Sequence, residues 1–340
     1  MGIKLGSTTV NDLVIIGPDG NAKQCLSVRT DAINETIVPP TPAAVLNQDG
    51  LSSNFTIKYI KDGTETSFKS TSSTSGTLSN ADLLNLRKIA PDAIIVESSS
   101  GTVDKDNSAT EFKNYYPFAS AKFGIGKKVV ASPISSVKYF MKQEGNTDSQ
   151  INTKIQNVFN VDISNLFNDD GNDTVLSDSG SLDDTKKLEK KLEVLISASK
   201  ASISGIVESN ILSAVAKQIV AETGTYNNAD TFFTNETENI LVKVKKDVNG
   251  IDESSSLSSE DATTITNISS NTKSIMDKDI QSYSDGNKVK SATLVKNLIE
   301  EQALSVDAAP SSFSSDLDTS ITSVLQDILS ENYVDPSGSP

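Results

Sequence analysis

Carboxylates are the groups from which this sequence could build chemistry. Asp and Glu number 45 against 30 Lys and Arg, and histidine is absent. Their densest run is Asn168-Asp169-Asp170-Gly171-Asn172-Asp173. Calcium wants several oxygens converging on a tight turn, and Asn168, Asp169, Asp170 and Asp173 could supply some of them. The spacing of a calcium-binding loop is not met. Counting back from Gly171 puts Leu166 where the first Asp should stand, and Ser177 falls where the closing Glu should. No glycine–aspartate nonapeptide repeat accompanies the run. A solvated acidic loop fits these residues better than a metal site, so calcium is the one cofactor they raise and none is expected.

The lack of histidine removes the commonest general base and metal ligand, and with it Ser-His-Asp and Cys-His triads and histidine zinc sites. Hydrolysis by paired carboxylates needs two of them about 5–10 Å apart in a cleft, and abundance alone does not build that pair. No catalytic residue is assigned, and a non-enzymatic protein is expected. The single cysteine, Cys25, excludes an intramolecular disulfide and reads as a small core residue in an alternating run.

Tyr115-Tyr116-Pro117-Phe118 is the one aromatic cluster. Exposed, Tyr115, Tyr116 and Phe118 could stack on sugars or anchor a partner. Flanked by strands, they fit a core better, because aromatic burial dominates core energetics. They are the candidate interface residues.

Composition narrows the partners. A formal charge of −15 repels phosphate backbones, so nucleic-acid binding is not expected. Hydrophobic residues make up 36% and aromatics 5%, with no tryptophan, which suits thin cores in a modular chain of 340 residues. Residues 1–7 contain no apolar signal-peptide core, and no run approaches about 18 consecutive apolar residues. Neither a classical export signal nor membrane insertion is expected.

Elements that must position these groups follow from periodicity. Leu13-Val14-Ile15-Ile16 and residues 22–28 flank the turn cluster Gly17-Pro18-Asp19-Gly20-Asn21, an N-terminal hairpin segment within residues 1–38. Pro39-Pro40-Thr41-Pro42 opens a Pro-rich connector over 39–50. A second hairpin turns at Lys61-Asp62-Gly63-Thr64, with Phe55, Ile57 and Tyr59 on one face. Ser79 or Asn80 caps a short helix ended by Pro91, and Ala93-Ile94-Ile95-Val96 reads as a buried strand.

Beyond residue 128 the period becomes helical. Ser132 or Ser135 starts a helix with Pro133 in its first turn. Thr147 caps another, carrying Ile151, Ile155, Val158 and Phe159. Residues 182–222 predict one long helix, its stripe running from Leu188 through Ile203, Ile206 and Ile211 to Val220. Further helices are predicted over 229–247, 258–276, 289–304 and 313–332. The expected fold is α+β: an antiparallel β-rich domain over 1–128, then a larger α-helical bundle over 129–335 with one long helix, and a flexible tail over 336–340.

Two stretches resemble known families. Val130-Ala131-Ser132-Pro133-Ile134-Ser135-Ser136-Val137 stands where a recurring unit of large bacterial surface and secreted proteins carries a Val-x-Ser-Pro-Leu-Thr-Thr turn. In that unit, matched over residues 92–222, a β-rich module passes into a helical segment. Here Ser-Ser replaces Thr-Thr. The opening Lys4-Leu5-Gly6-Ser7-Thr8-Thr9-Val10-Asn11-Asp12-Leu13 resembles the N-terminal segments of tailed-phage virion proteins. This second resemblance implies a structural protein of a virion neck, tail or capsid fibre, assembled in the host cytoplasm. Its partners would be copies of itself and other virion proteins. The first resemblance implies the alternative, a cell-surface adhesion or secreted binding module.

Overall fold

The computed structural model describes residues 14–16, 22–24, 43–47, 50–51, 54–72, 77–99, 112–117, 128–161, 184–284 and 305–329. The chain divides into two compact units, Met1–Thr41 and Pro42–Pro340. In the first, β1 (Val14–Ile16) pairs antiparallel with β2 (Ala22–Gln24), the hairpin its turn cluster predicts.

The second unit is mixed α+β. Its principal sheet is antiparallel and four-stranded, in the order β6-β5-β8-β9. The strands are β5 (Asn54–Lys61), β6 (Thr64–Ser72), β8 (Ala93–Ser99) and β9 (Phe112–Pro117). Asp62 and Gly63 turn the β5–β6 hairpin with φ of 51° and 73°. Positive φ at both central residues matches the right-handed twist of the flanking strands, which is why Asp-Gly serves here. Phe55 and Ile57 are buried as expected, and Tyr59 is half-buried.

A second sheet centres on β3 (Ala43–Asn47), within the stretch expected to be a Pro-rich connector. It pairs antiparallel with β4 (Gly50–Leu51) and β7 (Thr77–Leu78), and parallel with β10 (Lys128–Ala131). The parallel pair departs from the all-antiparallel expectation. Prolines end at Pro42, and Ala43-Ala44-Val45-Leu46 is free to extend. The boundary expected between residues 128 and 129 falls inside β10.

Eight helices occur among the described residues. They are α1 (Asn80–Ile89), α2 (Pro133–Gln143), α3 (Asp148–Phe159), α4 (Asp184–Ser202), α5 (Glu208–Ala221), α6 (Ala229–Asn249), α7 (Ser259–Ser284) and α8 (Pro310–Leu329). Ser79 caps α1, Ser132 caps α2 and Thr147 caps α3, each accepting the backbone N–H three residues on. All four apolar residues assigned to α3 are buried. The helix predicted over 289–304 and the tail over 336–340 lie outside the described residues.

The long helix expected over 182–222 is two helices. Residues 203–207 form a corner between α4 and α5, with Gly205 in the left-handed region at φ 82°. The Lys200–Glu208 ion pair spans the corner, and the Val207 N–H donates to Asn210 Oδ1 at 3.0 Å. The apolar stripe reads through because Ile203, Ile206 and Ile211 are all buried in one core. None of the described helices is long and apolar enough to cross a membrane.

From Leu188 to Ser199, every α4 residue except the partly buried Glu193 is buried. The helix packs against α2, α5, α6 and α7. Phe159, Phe232 and Phe233 join α3 to α6, with ring centroids 4.9 Å apart for Phe159–Phe232 and 5.3 Å for Phe232–Phe233.

Candidate functional site

Where β10 runs into α2, three serines follow one another around a proline. Ser132 is extended, and Pro133 supplies the first helical residue without an N–H that would need a partner. Ser132 Oγ accepts the Ser135 N–H at 3.3 Å, and Ser135 Oγ accepts the Ser132 N–H at 2.8 Å. This is a capping box with serine in the place usually taken by Glu or Gln. The cap is sewn to β9: Ser135 Oγ donates to the Lys113 carbonyl at 2.6 Å, and Ser136 Oγ accepts the Lys113 N–H at 2.7 Å.

Into this cap points Glu189 of α4. Ser132 Oγ donates to Glu189 Oε1 at 2.7 Å, and the Ile134 N–H donates to Oε2 at 3.3 Å. A helix N-terminus with free backbone N–H groups is a natural seat for a carboxylate. Burial nevertheless dominates and pushes the Glu189 carboxyl up to about 8, with Glu193 adding to the rise. The Ser132 hydroxyl, the Ile134 N–H and Lys190 pull the other way. A hydroxyl donating to a carboxylate is the first step of a nucleophile–base pair. Ser132 is 0% exposed and Glu189 4%, so no carbonyl of a substrate can reach this oxygen. What the pair does is tie α4 to the β9–β10–α2 junction.

Two other polar constellations are also internal ties. Glu97 on β8 accepts from Lys58 on β5 at 2.8 Å and from Lys113 on β9 at 3.1 Å, linking three neighbouring strands. Burial raises the Glu97 carboxyl, but the two ammonium groups overcome it and hold the group below its usual range. Between α5 and α6, Gln218 Nε2 donates to Glu222 Oε1 at 2.8 Å and Glu236 Oε2 at 2.7 Å, while the Tyr226 hydroxyl donates to Glu236 Oε1 at 2.6 Å. That hydrogen bond to Glu236, then burial, push the Tyr226 phenol well above its ordinary range.

Of the interface candidates, Tyr115 is half-buried on β9, opposite Ile95. Lys142 Nζ lies 5.1 Å from its ring centroid, and burial, then Asp148 and Asp92, push its phenol up. Part of the Tyr115 ring thus packs against Lys142 of α2. Tyr116, also on β9, pairs with Ile94 of β8, and its side chain lies outside the described residues, as does Phe118. Asn168, Asp169, Asp170 and Asp173 lie outside them too. Among the described residues no three His, Cys, Asp or Glu side chains converge as a metal site requires.

Sequence reading offers Ser132 or Ser135 as the start of α2, of which Ser132 is the cap, but not Glu189 as its partner. The one local signal is that Glu189 lies three residues before Leu192 and seven before Ile196, a charge on the apolar stripe. Compared with known proteins, the chain matches no family model, no curated protein and no solved structure.

Proposed function

We propose that this chain is a non-enzymatic structural and assembly protein of a tailed-phage particle, a neck, tail or capsid-fibre component acting through protein–protein contacts. Its building blocks in this reading are a β-rich front and a larger bundle of helices, and its partners are further copies of itself and other virion proteins. The observation that supports the reading is the Ser132–Glu189 pair. Among the described residues this hydroxyl–carboxyl pair is sealed inside and joins sheet to helices. A protein that works by shape needs such joints, and assembly around a symmetry axis multiplies each contact.

Mass spectrometry and negative-stain imaging of purified phage particles test this. The chain should be recovered at a fixed copy number and visible as a regular feature. Recovery on the bacterial cell surface and not in particles overturns the proposal in favour of an adhesion module.

A further inference from the structure

The two edges of the principal sheet are finished differently. Along an antiparallel strand, successive residues alternate between bonding one neighbour and facing the opposite side. On β9 the Lys113 N–H donates to Ser136 Oγ at 2.7 Å and its carbonyl accepts from Ser135 Oγ at 2.6 Å. Lys113 therefore faces away from β8, and by alternation so do Tyr115 and Pro117. The Tyr115 carbonyl accepts from Lys138 Nζ at 3.4 Å, and Pro117 has no N–H to offer. At these positions α2 and a proline shut the β9 edge.

β6 is the other edge, and among the described residues it pairs with β5 alone. Its hairpin turns through two residues, Asp62 and Gly63, so Lys61 and Thr64 exchange both backbone bonds. Alternation then bonds Thr66 to Tyr59 and turns the N–H and carbonyl of Glu65 and Ser67 outward. Thr64, Glu65, Thr66 and Ser67 are all exposed. Next the strand bulges: Lys58 faces Ser67 but Ile57 faces Lys69, leaving Phe68 as the extra residue. A bulge interrupts regular pairing, so the open ladder covers residues 64–67.

Charge and register say what fits there. The chain carries −15 overall, yet Glu65 is paired with Lys58 at 3.3 Å and Lys69 with Asp82. Both charged residues of β6 are thus matched, and an equally acidic second copy meets little net charge at this edge. Two copies of one edge meet antiparallel about a two-fold axis. An axis through Glu65 would set two carboxylates face to face, which is destabilising. An axis through Ser67 would set Glu65 against Lys69, across the bulge. An axis through Thr66 sets Glu65 of each copy opposite Ser67 of the other, so that outward groups meet outward groups.

We propose that β6 is a contact with a second copy of this chain, residues 64–67 of the two pairing antiparallel about an axis through Thr66 and continuing the principal sheet across both. The inference deepens the reading above by naming a surface on which copies meet, and it rests on that reading for its role. The edge is short, so the contact is weak alone and gains from repetition within an assembly.

Disulfide trapping on the full chain tests it, with Cys25→Ser removing the one native thiol. The paired Thr66 residues occupy a closely spaced, non-bonded position with Cα atoms about 4.5 Å apart, within disulfide reach. Under mild oxidation Thr66→Cys should form linked dimers about ten-fold faster than Glu65→Cys or Asn85→Cys, the latter exposed on α1. Adding Ser67→Pro removes an outward N–H, spares the β5 ladder and should bring the Thr66→Cys rate down to that of Asn85→Cys. Trapping at Glu65 ahead of Thr66, or at Thr66 no faster than at Asn85, overturns the proposal. So does a Ser67→Pro chain of unchanged melting temperature that traps as fast as before; if that temperature falls, the three cysteines decide alone. A chain found in phage particles but untrapped at Thr66 sinks this contact and leaves the assembly reading standing. Trapping by a chain absent from particles does the reverse.

Discussion

At Glu189 a carboxyl is held by one hydroxyl and one N–H in a place without water. The unfolded chain releases its proton near 4.5, whereas the folded chain keeps it until about 8. Between those values only the native state carries the proton, so this group's contribution to stability is complete below 4.5 and falls as pH rises, until it is lost above 8. Glu97 has the opposite sign: its lowered value means that stability present above the unfolded value is lost as pH falls. Replacing Glu189→Gln keeps the shape, with the amide donating to Ser132 Oγ and its oxygen accepting the Ile134 N–H. The variant should lose the alkaline decline and exceed the parent at pH about 9 by about 1–3 kcal/mol, the scale of an imperfectly satisfied buried polar group. Calorimetry at pH about 5, 7 and 9 reads this as a difference between the two chains that widens toward alkali. Equal curves at all three would show that the carboxyl ionises freely.

Between residue and fold, the corner at Gly205 decides how α4 and α5 are arranged. Helix propensity alone would favour Gly205→Ala, since alanine is the best helix former. The structure reverses that expectation. A Cβ there would meet nothing closer than Val248 Cγ1 at 3.9 Å, so space is not the obstacle. The φ of 82° is the obstacle, because an L side chain rarely adopts it. Gly205→Ala should therefore cost about 1 kcal/mol in urea unfolding. A stabilised Gly205→Ala chain would mean that α4 and α5 straighten into the continuous helix read from the sequence. The caps behave otherwise: Ser79, Ser132 and Thr147 act within three residues, Thr147 where the sequence puts it and the other two each at one of two positions it offers.

For the molecule as a whole, the formal charge of −15 bears on assembly. Like-charged copies repel at long range, and salt screens that repulsion within about 10 Å at 0.1 M. If copies associate through packed faces, raising salt from about 0.02 M to about 0.5 M should increase the sedimentation coefficient as association strengthens. Dissociation under the same change would point to contacts built from opposite charges.

By itself the sequence determined several helix starts, which residues the apolar faces carry, and the mixed α+β class. Those features depend on backbone dihedrals, capping hydrogen bonds and side-chain period, all set within a few residues. Only the tertiary structure decided that β3 lies parallel to β10, that residues 203–207 turn a corner, and that Glu189 is sealed into the head of α2. It alone separated the hydrogen-bonded hydroxyls of Ser132, Ser135 and Ser136 from those of Ser199, Ser269 and Thr272, which have no partner among the described residues. Partner choice across tens of residues is a sum of many weak packing terms, and a serine in a helix reads the same whichever neighbour covers it.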